Sequence, residues 1–183
     1  MHSDLCGSLP TISFSGFKYF LNFIDDYSRC NWVYFLKLKS EESDMFLAYK
    51  ALVEKQSGQH ILKLRYDNGG EYVNNKFITF CAKQGIQMQH NVPYAPQQNG
   101  VVERKNRTLK EMVNCMLQSK GLSLHFWEEA IDCANHIVNS THTKALKNIK
   151  PEEAWSSIKL DVSHFRVVGS EAWAHIPDEN INP

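Results

Sequence analysis

The stretch that most constrains the fold is 17–39, where FKYFLNFID and NWVYFLKLK flank a short polar segment containing DDYSR. Both runs are rich in β-branched and aromatic residues, and in the first Phe17, Tyr19, Leu21 and Phe23 fall at every second position. A period of two is the signature of a strand, and two such runs joined by polar residues predict a β-hairpin over 17–38. From Ser40 the period changes. SEESDMFLAYKALVEKQSG opens on a serine and acids, carries Met45, Phe46, Tyr49, Leu52 and Val53 at helical spacing, and stops at Gly58. That pattern predicts an amphipathic helix capped at its serine.

Beyond the hairpin and its helix, HILKLRYD reads as a short strand, NKFITFCAKQG as a helix stopped at Gly85, and IQMQHNV as another strand. A long helix begins near Asn99 or Gly100 with Val102, Leu109, Met112, Val113 and Met116 as its apolar stripe. SLHFWEEAIDCANHIVNS is the next helix, capped by Ser123, with Phe126, Trp127, Ala130, Ile131, Ala134 and Val138 inward. KPEEAWSS predicts one short helix, and FRVVGSEAWAHIP a strand or hairpin. Strand–helix–strand–helix–strand after a hairpin implies a mixed sheet with helices on its faces. In such sheets chemistry collects at the carboxyl ends of the parallel strands.

Composition narrows the class. The 183 residues are 43% hydrophobic and 22% charged, which fits one globular domain rather than a disordered chain. No apolar run approaches the roughly eighteen residues of a membrane span, and MHSDLCGSLP lacks the basic-then-apolar pattern of a signal peptide. Five widely spaced cysteines without a CxxC pair point to reduced thiols in an intracellular compartment. Cys133, His136 and His142 read as an incidental cluster. Twenty Lys+Arg balance twenty Asp+Glu, so only the distribution of charge is informative. Arg104, Lys105, Arg107, Lys110 and Lys120 face two acids over 103–120, and three lysines and no acid lie in 144–150. A basic strip of this kind is either solvated helix surface or a track for phosphates.

Most acids fall on helix surfaces, but a few stand at element ends. Asp4 lies in a short apolar stretch, Asp25 and Asp26 end the first hairpin strand, and Asp67 ends HILKLRYD before a glycine pair. Glu103 opens the long helix behind PYAPQQNG. Singly, Asp67 reads as a turn former and Glu103 as a complement to the helix dipole, with Arg107 four residues on as a natural partner. Together, carboxylates on two strand ends and one helix can hold a pair of Mg²⁺ ions, hard cations that take oxygen ligands and leave room for water and phosphate.

Thirty-five residues separate Asp67 from Glu103, and this resembles the D,D-35-E signature of retroviral and retrotransposon integrases. HSDLCG, YFLNFIDDYSR, LRYDNGGEY, PYAPQQNGVVERKNRT and KALKNIKPEEAW, in that order, resemble the copia-like branch. The resemblance implies an α/β, RNase H-like fold with a mixed five-stranded sheet flanked by helices. It makes 1–158 the catalytic core and 159–183 the start of a C-terminal extension. It implies that Asp4, Asp67 and Glu103 are a catalytic triad holding two Mg²⁺ (or Mn²⁺) ions. Tyr94, Asn99, Arg104, Lys105, Arg107 and Lys110 then face DNA, while Asp25 and Asp26 are structural. The implied partners are element-end and target DNA and further copies of the chain, with no membrane and a nuclear site of action.

Gly169–Ser170 stands where the family carries a glycine–cysteine pair, and only Met1, His2 and Ser3 precede Asp4. The chain therefore reads as a polyprotein fragment or a domesticated remnant whose first strand is short, and a folded protein with weak strand transfer is expected. Two functions stay open: an active polynucleotidyl transferase core, or a non-catalytic nucleic-acid- or protein-binding module that keeps the fold. A carboxylate-pair glycosidase accounts for neither the basic helix nor the order of motifs.

Overall fold

The computed structural model describes residues 1–66, 75–90 and 100–173. Five strands form one mixed sheet: β1 (His2–Gly7), β2 (Tyr19–Ile24), β3 (Asn31–Leu36), β4 (Lys63–Tyr66) and β5 (Gln87–His90), in the order β3-β2-β1-β4-β5. The expected hairpin is the antiparallel β2–β3 pair, and β1 joins it antiparallel on the other side of β2. β4 pairs parallel with both β1 and β5. The helices are α1 (Glu42–Ser57), α2 (Asn75–Lys83), α3 (Gly100–Lys120), α4 (Trp127–Asn139) and the short α5 (Pro151–Ser156).

The two faces of the sheet carry separate cores. Leu21, Phe23, Leu36 and Leu64 pack with Phe46, Tyr49 and Val53 of α1 and Phe77 and Cys81 of α2. On the opposite face, Cys6 and Phe20 pack with Leu109, Val113 and Leu117 of α3 and Trp127, Ala130, Ile131 and Ala134 of α4. Neighbouring residues of β2 serve opposite cores, as the alternation of strand side chains requires. Phe20, Leu21, Phe23 and Ile24 are all fully buried, each contributing on the order of 1.5–3 kcal/mol relative to exposure. Phe17 joins the α3–α4 side, not the side of Leu21 and Phe23, because it precedes the strand.

Several sequence expectations need correction. Ser40 does not cap α1. A short 3₁₀ turn (Lys39–Glu41) leads into the helix, and the Glu41 carboxylate accepts from the Lys37 and Leu38 N–H groups at 2.8 and 3.2 Å. Leu52 is 42% exposed and Phe126 39% exposed, so neither belongs to an inward stripe. Ser123 does cap, but it caps a 3₁₀ turn (Leu124–Phe126) ahead of α4. The described part of FRVVGSEAWAHIP, through residue 173, contains no strand. β1 is six residues long and is paired from His2 to Gly7. Only His2 and Ser3 of the strand precede Asp4, and the rest of its length lies downstream. As expected, Asp25 and Asp26 do structural work: Asp25 accepts from the Ser28 N–H and hydroxyl at 2.7 Å, closing the β2–β3 turn, and Asp26 pairs with His2 and Arg65.

Candidate active site

Asp4 stands within β1, the middle strand of the sheet, on the same side as Cys6 and beneath α3. Its Oδ2 accepts from Asn106 Nδ2 at 2.6 Å. Asn106 in turn accepts from Asn22 Nδ2. Glu103 lies three residues before Asn106, on the adjacent turn of the same helical face, where i and i+3 side chains are neighbours. The fold thus brings the Asp4 carboxylate against α3 at Asn106, one helical turn from Glu103. The glutamate is exposed. Among the described residues it forms no ion pair with Arg107.

The third acid of the expected triad, Asp67, lies outside the described residues, as do Tyr94 and Asn99. Tyr66, the residue before Asp67, is the last of β4 and pairs with Ser3, the residue before Asp4. Among the described residues, no group of three or more His, Cys, Asp or Glu is arranged to hold a metal ion. The five cysteines form no disulfide, and His136 packs its ring against His164 and Phe165.

The basic residues divide by position. Arg104, Arg107 and Lys110 are exposed on α3, with Arg107 and Lys110 one and two turns beyond Glu103. Arg104 folds its guanidinium over Gly100, where an added Cβ would meet it at 2.9 Å. Lys110 reaches the Cys6 thiol, whose pKa burial pushes up while the lysine opposes the shift. Lys110 also lines a cavity of about 310 Å³ with Phe20, Val113, Leu117, Trp127 and Ile131. Lys105 is different. It is half-buried, and burial lowers its pKa to about 8, with Arg29 adding to the shift and Cys30 opposing it.

Asn106 was not legible as a functional residue beside three bases and a glutamate. The available signal was its position three residues after Glu103, since an amide one turn from a carboxylate shares that carboxylate's face.

Comparison with known proteins identifies the family of the chain. Residues 1–96 match the family model described as the integrase core domain. The chain is 42% identical over 98% of its length to the Retrovirus-related Pol polyprotein from transposon TNT 1-94 of Nicotiana tabacum. It is 32% identical over 82% of its length to that of transposon RE2 of Arabidopsis thaliana, and 30% identical over all of it to the truncated transposon Ty1-A Gag-Pol polyprotein of Saccharomyces cerevisiae. The chain spans 14%, 10% and 16% of these relatives. A chain in the cryo-EM structure of a simian T-cell lymphotropic virus intasome in complex with PP2A regulatory subunit B56 gamma superposes with a TM-score of 0.63 at 18% identity. That match covers 96% of this chain and 59% of the other, and it shows that the fold is shared. The chain belongs to the integrase core domain family. Its relatives are Pol polyproteins of plant and yeast retrotransposons.

Proposed function

We propose that this chain is the catalytic core of a divalent-metal-dependent polynucleotidyl transferase that cleaves the DNA ends of a retrotransposon and joins them to target DNA. The observation that carries the reading is Asp4, held on the middle strand of the sheet by Asn106 one turn from Glu103. The pairing of Tyr66 with Ser3 supports Asp67 as the third member, since Asp67 is the next residue in the chain. The domain division at 158 and the extension from 159 belong to the same proposal.

The donor set fits a hard cation. Asp4 and Glu103 offer carboxylate oxygens, and the neighbouring Asn106 offers its amide nitrogen to Asp4 rather than a competing positive charge. Bound Mg²⁺ or Mn²⁺ would lower the pKa of an attacking water or hydroxyl and stabilise the leaving oxygen. The chain's own residues orient the reactants. Asp4 and Glu103 supply fixed negative charge, while Arg107 and Lys110, on the same helical face as Glu103, neutralise substrate phosphates on either side. No side chain in this arrangement need act as a covalent nucleophile, because water or a DNA 3′-hydroxyl attacks. Action in the nucleus, on element-end and target DNA and with further copies of the chain, follows from this reading.

Mg²⁺-dependent cleavage of an end-labelled duplex carrying the element terminus, compared with Glu103→Gln, tests the proposal. Cleavage abolished in the variant at unchanged DNA binding supports it. Cleavage equal in the two proteins overturns it. DNA binding without metal-dependent cleavage in the parent supports the binding-module alternative instead.

A further inference from the structure

Five asparagines from four elements meet under α3 and α4. Asn22 of β2 and Asn31 of β3 are 0% and 1% exposed, and Asn106 and Asn139 are also buried. A leucine at position 22 would suit the neighbouring Phe20 and Leu21 better, so the amides need a reason other than packing.

The hydrogen bonds run one way. Asn31 Nδ2 donates to Asn22 Oδ1 at 3.3 Å. Asn22 Nδ2 donates to Asn106 Oδ1, and Asn106 Nδ2 donates to Asp4 Oδ2 at 2.6 Å. An ionised carboxylate only accepts, so Asp4 dictates the orientation of every amide behind it. Asn106 must turn its nitrogen to Asp4 and its oxygen to Asn22, Asn22 must then donate to Asn106 and accept from Asn31, and so must Asn31 donate to Asn22. The far end is clamped by α4. The Asn31 N–H donates to Asn139 Oδ1 at 3.0 Å, and its carbonyl accepts from Asn139 Nδ2 at 2.7 Å and Asn135 Nδ2 at 3.2 Å. Asn31 Nδ2 also donates to Asn135 Oδ1 at 2.6 Å. Among the described residues Asn31 Oδ1 has no partner, a cost accepted where the directional chain begins. A row of aligned amide dipoles ending on a carboxylate polarises in one sense, and each bond strengthens the next.

We propose that Asn22 and Asn31 are positioning residues for Asp4. They act through Asn106: Asn22 anchors its oxygen, so its nitrogen stays on Asp4 and the carboxylate is held in one orientation for metal. The proposal rests on the reading of Asp4 as a metal ligand, but its geometry can be read without metal. Asn22→Asp removes the donor to Asn106 Oδ1: its ionised oxygens accept from Asn31 and compete with Asp4 for the Asn106 nitrogen, so Asn106 is no longer held in one orientation. Asn22→Leu, of similar volume, cuts the chain without introducing a buried carboxyl, and serves if the first variant does not fold.

The experiment follows the Asn106 side-chain NH₂ signal in ¹H–¹⁵N spectra of the metal-free chain, alongside Mn²⁺ titration calorimetry and DNA binding. In the parent, Asp4→Asn should move that signal. Against an Asn22→Asp or Asn22→Leu background the same change should move it less, because Asn106 is no longer held in one orientation against Asp4. Mn²⁺ affinity should fall at least tenfold in both Asn22 variants, the range expected for groups that orient a ligand, while DNA affinity stays within twofold. An Asn106 signal that responds to Asp4→Asn equally with and without Asn22 overturns the proposal, as does unchanged Mn²⁺ affinity in both variants of a parent that binds Mn²⁺. If the parent binds no Mn²⁺ but the spectra behave as expected, the amide relay stands and the metal reading falls.

Discussion

Replacing Lys105 by methionine should stabilise the protein near neutral pH. The ammonium is half-buried on the side of α3 that meets the β2–β3 turn, and burial lowers its pKa from 10.5 to about 8, with Cys30 opposing the shift and Arg29 adding to it. A group whose charged form is disfavoured in the folded state binds protons more readily when unfolded. The penalty is complete below the folded value and disappears as pH rises through 8 toward 10.5. Taken at face value the shift is worth about 3 kcal/mol at pH 7 and under about 1 kcal/mol at pH 10. The four-carbon stem lets the ammonium reach partly into water, which discounts the gain to ~1–2 kcal/mol at neutral pH. Urea unfolding of the parent and Lys105→Met at pH 7, 8.5 and 10, with equal m-values, measures it directly. The difference between the two proteins should shrink steadily across that series. Destabilisation by Lys105→Met at pH 7, or a gain that does not change with pH, would refute the reasoning. A stabilising result would also separate Lys105 from the DNA-contacting set, because a phosphate-binding ammonium has to stay solvated and charged.

The elements of this fold were legible because their periods were clean. The hairpin, α1, the β4–α2–β5 run and α3 all fall where alternation or a 3.6-residue stripe placed them. What the pattern missed was set by neighbours in space. Ser40 looks like a cap, but Glu41 reaches back to two free N–H groups with its longer side chain, so the cap shifts. Val167 and its neighbours have the β-propensity of a strand, but no strand edge meets them, and Val167 is 70% exposed.

Asp4 and Glu103 were singled out in the sequence, but the amides around Asp4 were not. In FLNFID, Asn22 looks like a solvent-facing polar position of an amphipathic strand. The neighbouring Phe20, Leu21, Phe23 and Ile24 carried the contrary signal, because a continuous apolar run belongs to a strand covered on both faces. A polar residue inside such a run is buried and has to be satisfied internally. That reasoning identifies Asn22 as part of a network, but only the packing of α3 and α4 identifies its partners. The basic strip was read as one group from its charge, whereas helical geometry splits it: Arg107 and Lys110 follow Glu103, and Lys105 turns inward.

If Arg107 and Lys110 contact DNA phosphates, Arg107→Gln and Lys110→Gln should each weaken binding equally across sequences and flatten the log–log salt dependence by about one unit. Fluorescence anisotropy between 50 and 200 mM salt checks this, and an unchanged slope in both variants would make them plain surface residues. The last prediction concerns the pairing of β1 with β4 beside Asp4. Asp26 joins β1 to β4 through His2 at 2.7 Å and through Arg65. Burial raises the cost of its charge, but His2, then the N-terminal ammonium and then Arg65 outweigh that cost and hold its carboxyl below the usual range. Because the folded pKa is depressed, the stabilisation is present above the unfolded value of about 3.9 and is lost as pH falls through the lower folded value. The side chain is 40% exposed, so the pairing is worth no more than ~1 kcal/mol. Asp26→Asn should therefore lower stability by that amount at pH 6–7. The two proteins should then converge as pH drops below 4, when the parent's carboxyl takes up its proton. Unfolding curves for both proteins from pH 3 to 7 provide the comparison. A gap that stays constant down to pH 3 would mean that Asp26 acts by shape and hydrogen bonding rather than by charge, and that β1 is held beside β4 by its backbone ladder and not by this ion pair.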